Sequence, residues 1–157
     1  MTKIVITGLV GVHLIVAIWH GGAHTELAIA LPPMKSFFVY AVVIVAPIAA
    51  AALAWTRYQS TALWLFLLSM LSSCLFGVYH HYVLISPDNI GHLPAGSVAS
   101  HSHFIASAAV LALTELFAAL WGAFALGVHH AQTAGPGGLV DLEVRSDPTG
   151  SGPQKRR

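Results

Sequence analysis

Four long apolar runs, separated by short polar or Pro/Gly-rich breaks, occupy most of this chain. The first starts at Ile4, reaches at least Trp19, and can continue through His20-Gly21-Gly22-Ala23-His24 towards Leu31. Pro32-Pro33 must stop it there, because neither ring nitrogen carries a proton for the preceding turn. The second run extends from Ser36 to Trp55 and contains Pro47, a kink that neighbouring membrane helices can accommodate. The third covers Thr61 to about Ile85, and the fourth starts between Ser100 and Phe104 and continues to about Val128. Each has the roughly 20 residues needed to cross a hydrocarbon core. The pattern predicts an all-α fold: a polytopic membrane protein built as a four-transmembrane-helix bundle. Its spans fall at about 4–24, 36–55, 61–85 and 102–128, within one domain over residues 1–130.

The breaks are unequal. Thr56 to Ser60 makes a tight antiparallel hairpin, whereas Ser86 to Ser100 is long, aperiodic, and contains Pro87, Asn89, Gly91, Pro94 and Gly96. Loops of that kind commonly carry function. After His130 the composition turns to Gly, Pro, Ser and charge, which predicts a disordered tail over 131–157. Met1-Thr2-Lys3 followed by an apolar run also fits a signal peptide cleaved near Ala23. The length of the run and His13 at its centre favour a retained span.

Composition changes the picture in one respect, the solvent. Hydrophobic residues make up 56% of the chain and charged residues 8%, with mean hydropathy +0.74. No charged shell for a water-soluble domain can be built from that inventory, so the first partner is the lipid bilayer. Other membrane subunits or a second copy are further partners a bundle of this kind can take. Up to Ala131 the formal charges are Lys3, Lys35, Arg57, Glu26, Asp88 and Glu115, which cancel and leave no basic patch for nucleic acid. Lys3, Arg57 and Lys155-Arg156-Arg157 fall on one side of a four-span arrangement, with Lys35 alone opposite. The excess of basic residues predicts a plasma (inner) membrane protein with both termini cytoplasmic, and with the loops after spans one and three facing outward. Cys74 is the single cysteine, which excludes an internal disulfide and any CxxC thiolate site.

Histidine is the anomaly, with ten against seven Lys and Arg together. His20 and His24 end the first span on the outward side, His80 and His81 end the third, His92 lies in the outer loop, and His101 and His103 lead into the fourth. His129 and His130 sit at the inner end, where contacts with headgroups or with the helix dipole account for them. His13 is mid-membrane. His13, His20 and His24 share one helical stripe, as do His103, Ser107 and Thr114. Polar stripes in membrane helices turn to the bundle interior, so three helices aim imidazoles at a common region. Neutral imidazole is the common ligand of Zn, Cu and Fe, and it enters a low-dielectric site at less cost than a carboxylate. The spacing His20-x3-His24 lets two rings on adjacent turns grip one ion. An internal hydrogen-bond network among the same residues is the plain alternative. Glu115, the one acid deep in a span, is a candidate proton relay, or else a packing residue bonded across the bundle.

Two short segments resemble parts of a known family. Gly77-Val78-Tyr79-His80-His81-Tyr82 is similar to the paired-histidine segment that ligates the non-haem metal in catalytic subunits of haem-copper oxidases and nitric oxide reductases. His101-Ser102-His103-Phe104, continuing to Val110, resembles their His-x-His segment, in which each histidine ligates a haem. The order along the chain agrees, while the spacing is shorter and the spans are fewer. The resemblance implies copper or haem ligation by imidazole, without oxygen reduction. His20-Gly-Gly-Ala-His24 is also similar to the first histidine box of membrane desaturases and hydroxylases, which implies a di-iron enzyme as a further alternative. Phe76-Gly77-Val78 lacks the upstream histidine of the second box.

The expectation is therefore a transition-metal protein, with metal ligands among His20, His24, His80, His81, His101 and His103. Copper is preferred over zinc or iron for an all-imidazole set. It would act in metal handling or as accessory to a membrane metalloenzyme. The alternative is a haem b oxidoreductase or electron-transfer subunit, with haem held by His20, His80 and His103.

Overall fold

A computed structural model of the chain describes residues 2–134. Four helices cross the length of a bilayer: α1 (Thr2–Glu26), α2 (Pro33–Leu53), α3 (Gln59–Val83) and α4 (Val98–Ala134). There is no strand among the described residues. The expected tail lies outside them from residue 135 onward, and α4 itself runs beyond the predicted 102–128 at both ends. Its start is moved upstream by Ser97, whose hydroxyl accepts the Ser100 amide at 3.0 Å, the usual N-cap bond. Pro33 opens α2 at a first-turn position, where a missing N–H is harmless. Beyond Leu126, in the last turns of α4, the Thr133 hydroxyl bonds the carbonyls of His129 and His130.

Side chains turned outward are large and apolar, for example Ile15 at 70% exposed and Leu113 at 67%, as lipid requires. At one end of the bundle Ile6, Val10, Ala50, Ala54, Leu63, Phe66, Met70, Ala118 and Leu126 form an apolar core from all four helices. Gly122 lets α4 close on α3 there, since a Cβ would meet Phe66 at 3.2 Å. The Trp55 indole donates to the Thr7 hydroxyl at 3.0 Å, pinning α1 to the α2–α3 turn.

At the other end a second apolar cluster, Ala23, Leu27 and Phe104, packs beneath the long loop. Ala28 ends α1 in the left-handed region at φ 51°, which returns the Ile29 amide to the His24 carbonyl at 2.9 Å. Between the two apolar clusters lies a buried polar layer that includes His13, His20, His81, Asp88, Ser107 and Glu115.

Two stretches depart from α geometry. Val39–Val45 in α2 and Tyr79–Val83 in α3 are π-helical, and the Leu84 amide reaches back five residues to Tyr79 at 2.8 Å. Such wide turns are often found at functional sites, and the second of them carries a histidine into the polar layer.

Candidate metal centre

His20 and His24 lie one turn apart on the inward face of α1, so their rings stack along the helix edge-to-face at 4.8 Å. His81 comes from the π turn of α3. Its Nε2 lies 3.1 Å from His20 Nε2, and His24 Nε2 lies 3.2 Å from the same atom. The three residues form a group whose ligand atoms lie within 4.8 Å of one another, and it can hold a metal ion. Phe104 packs against all three rings and closes the site on the α4 side.

The tautomers follow from what the outer nitrogens touch. His81 Nδ1 faces the Asp88 backbone carbonyl at 2.8 Å, and a carbonyl only accepts, so His81 Nδ1 carries the proton. His20 Nδ1 faces Ser107 Oγ at 3.0 Å, while the Ser107 hydroxyl donates to the Phe104 carbonyl at 3.1 Å. With its proton committed, Ser107 accepts from His20 Nδ1. Both Nε2 atoms are therefore lone-pair acceptors, facing each other at hydrogen-bonding distance with no proton of their own to share. His24 Nε2, 3.2 Å from His20 Nε2 and 3.3 Å from Asp88 Oδ1, has one proton at most to offer and leaves His81 Nε2 unanswered, whereas a cation among the three rings removes the repulsion. Metal–imidazole bonds of about 2.0–2.1 Å in a tetrahedral site put ligand nitrogens about 3.3 Å apart, close to the 3.1 and 3.2 Å of the two pairs that share His20 Nε2, with all three nitrogens within 4.8 Å. An N–H donor on each outer nitrogen is also the usual second layer of a metal-bound histidine.

Asp88 borders the group. Its Oδ1 lies 3.3 Å from His24 Nε2 and 3.3 Å from His81 Nδ1, and the residue is buried although it lies in the loop. Burial acts to raise its carboxyl, but the His81 N–H beside it and the fields of His81, His24 and Lys35 outweigh burial and hold it below the usual carboxylate range. The loop is fastened over the site by the same residues. The Ile90 amide donates to the His81 carbonyl at 2.9 Å, and the Asn89 amide side chain donates to the Leu84 carbonyl at 3.1 Å.

The remaining expected ligands are not brought to this point. His80 turns the other way, its Nδ1 donating to the Phe76 carbonyl at 2.9 Å and its ring lying on Phe76. His101 Nε2 donates to the Pro94 carbonyl at 2.9 Å. His103 stacks on Trp19 and meets Glu26 at 3.0 Å on the half-exposed rim. Successive histidines in one helix point apart, and in the pairs 80/81 and 101/103 only His81 reaches the cluster. Thr114 bonds the Val110 carbonyl of its own helix at 2.7 Å and leaves the Ser107 stripe.

His13 belongs to a deeper pair. Pro47 brings no amide to the carbonyl four residues before it, and that carbonyl, of Val43, accepts from His13 Nε2 at 2.8 Å. His13 Nδ1 is then the bare nitrogen, buried and 3.8 Å from Glu115 Oε1.

From sequence Asp88 reads more readily as a solvated loop charge than as a ligand, and Ser107 as a hydroxyl for Glu115 rather than for His20. The signals that single them out are a seven-residue Pro-containing return from His81 to Asp88, and a serine on the inner stripe of α4.

No protein-family model matches this chain, and neither a curated protein nor a solved structure shows significant similarity to it.

Proposed function

We propose that the protein binds one divalent transition-metal ion at His20, His24 and His81, with Asp88 at the margin, and serves in metal handling or as accessory to a membrane metalloenzyme. The observation that carries this reading is the pair of lone-pair nitrogens on His20 and His81, 3.1 Å apart, each with its opposite nitrogen held as a donor. Copper is preferred on affinity, by the order that peaks at Cu(II), while the tetrahedral spacing of the nitrogens suits Zn(II) equally. Ser107 and the Asp88 carbonyl fix the two rings, and Phe104 covers them on the α4 side. In this reading the site faces outward from a plasma (inner) membrane, with both termini in the cytoplasm, consistent with Lys3 and Arg57 on the opposite side.

Elemental analysis and an absorption spectrum of the detergent-purified protein test the reading together. Stoichiometric copper or zinc without a Soret band is the expected result. A Soret band would replace it with haem binding. Absence of metal even after reconstitution with Cu(II) and Zn(II) would overturn it.

A further inference from the structure

A cavity of about 540 Å³ runs from the histidine cluster past Gly77 to Glu115, well within the roughly 300–1,000 Å³ of small-molecule sites. A Cβ at Gly77 would lie 3.9 Å from both Glu115 Oε2 and His81 Cδ2. The missing side chain therefore keeps open the passage between the deep acid and the histidines. The walls are mostly aliphatic or aromatic, from α1, α2, α3 and α4.

Three features say what it takes. First, its mouth faces lipid. α1 packs on the second half of α2, Ala46–Leu53, and the His13–Val43 bond ties it to the π-helical first half. Beyond that bond Ile18 and Tyr40 both line the cavity and are 74% and 69% exposed. Second, its deep part has an unanswered polar group: Ser73 is 2% exposed, lines the cavity, and its hydroxyl has no hydrogen-bond partner among the described residues. Third, its ionisable lining consists of Asp88, Glu115, Tyr40 and histidines, with no Lys or Arg to receive an anion.

We infer that this cavity binds an uncharged, membrane-dissolved molecule bearing a hydrogen-bonding oxygen, which enters sideways from lipid between α1 and α2 and bonds Ser73. Any charged molecule would lose its hydration on the route through lipid, and an anion would find no counter-charge inside. A pure hydrocarbon would leave the buried Ser73 hydroxyl unpaired. The inference stands apart from metal binding, since neither the mouth nor Ser73 belongs to the histidine cluster.

The probe is a medium-chain alcohol carrying a photoreactive diazirine, applied to the purified full chain in lipid nanodiscs, with adducts mapped by mass spectrometry. Adducts are expected at Tyr40, Leu111 and the Ser73–Gly77 segment, and excess n-octanol should suppress them while n-octane should not. Gly21 lines the mouth, and a Cβ there meets nothing within 4 Å. Gly21→Leu should therefore fold and abolish the labelling, with Ala17→Phe as a second plug of the same mouth. Ser73→Ala should weaken octanol competition roughly three- to tenfold, the loss of one hydrogen bond. Adducts scattered over outward residues such as Leu113 and Phe124, unchanged labelling in both plugged variants, or equal competition by octane would overturn the inference. All these variants retain the three imidazoles, so normal metal content beside failed labelling would separate this failure from failure of the metal reading.

Discussion

His20 and His81, sixty-one residues apart in sequence, present unprotonated ring nitrogens to each other across 3.1 Å. Each is held in that state by an acceptor behind it, Ser107 Oγ for one and the Asp88 carbonyl for the other. Most of the functional reading depends on those two outer bonds, and they can be altered one at a time.

Ser107→Ala removes the acceptor for the His20 Nδ1 proton and leaves every ligand nitrogen in place. Metal affinity should fall about 10- to 100-fold, the usual effect of losing the bond behind a ligating histidine. Ser107→Thr keeps the hydroxyl and should restore most of it. Competition with a chromophoric chelator measures both, and equal affinity in the alanine variant would show that Ser107 does not orient the ring.

Asp88 gives the fold an acid-side dependence. Its carboxyl is held below the ordinary aspartate value of 3.8, so its contribution to stability is fully present above that value and lost as pH falls through the lower folded one. Thermal unfolding in detergent should show a decline below about pH 4 that Asp88→Asn lacks. Parallel pH profiles for the two proteins would contradict the assignment.

How much of this was legible beforehand depends on the residue. The four spans were, because an apolar run of that length has few other fates. The His20/His24 pair was also legible, because an i, i+4 spacing fixes two rings on one face whatever surrounds them. The choice of His81 over His80 was not. It depends on the π turn at Tyr79–Val83, which a periodicity of 3.6 does not contain. Asp88 reads as a solvated loop charge until the loop folds back over His81. The use of the Val43 carbonyl by His13 requires knowing which helix packs beside Pro47. Sequence reports what a helix face offers; the partner of each polar atom is set by packing between helices.

Glu115 is read as a proton relay below the metal centre, with His13 Nδ1 at 3.8 Å as its neighbour. Glu115→Gln keeps the shape of the side chain and removes its titratable proton, so folding and metal affinity should persist. The number of protons exchanged per metal bound should change, measured by calorimetry in buffers of different ionisation enthalpy. Outright loss of metal in this variant would instead make Glu115 a ligand of a deeper site with His13.

The orientation is open to direct labelling. Cys74 is buried and gives little background, so single cysteines at Ser97 and Arg57 report the two loops. A membrane-impermeant thiol reagent added to intact cells should modify Ser97→Cys and spare Arg57→Cys. The reverse pattern would place both termini outside.

The central claim is that three imidazoles from α1 and α3 share one ion, and the direct measurement is metal affinity across four alanine variants. His20→Ala, His24→Ala and His81→Ala should each weaken Cu(II) binding by on the order of a hundredfold or more, exceeding the effect of altering an outer bond. His130→Ala, at the far end of α4, should bind as the wild type does. Equal affinity in all four would contradict the account and leave the cluster as a network of hydrogen-bonded side chains.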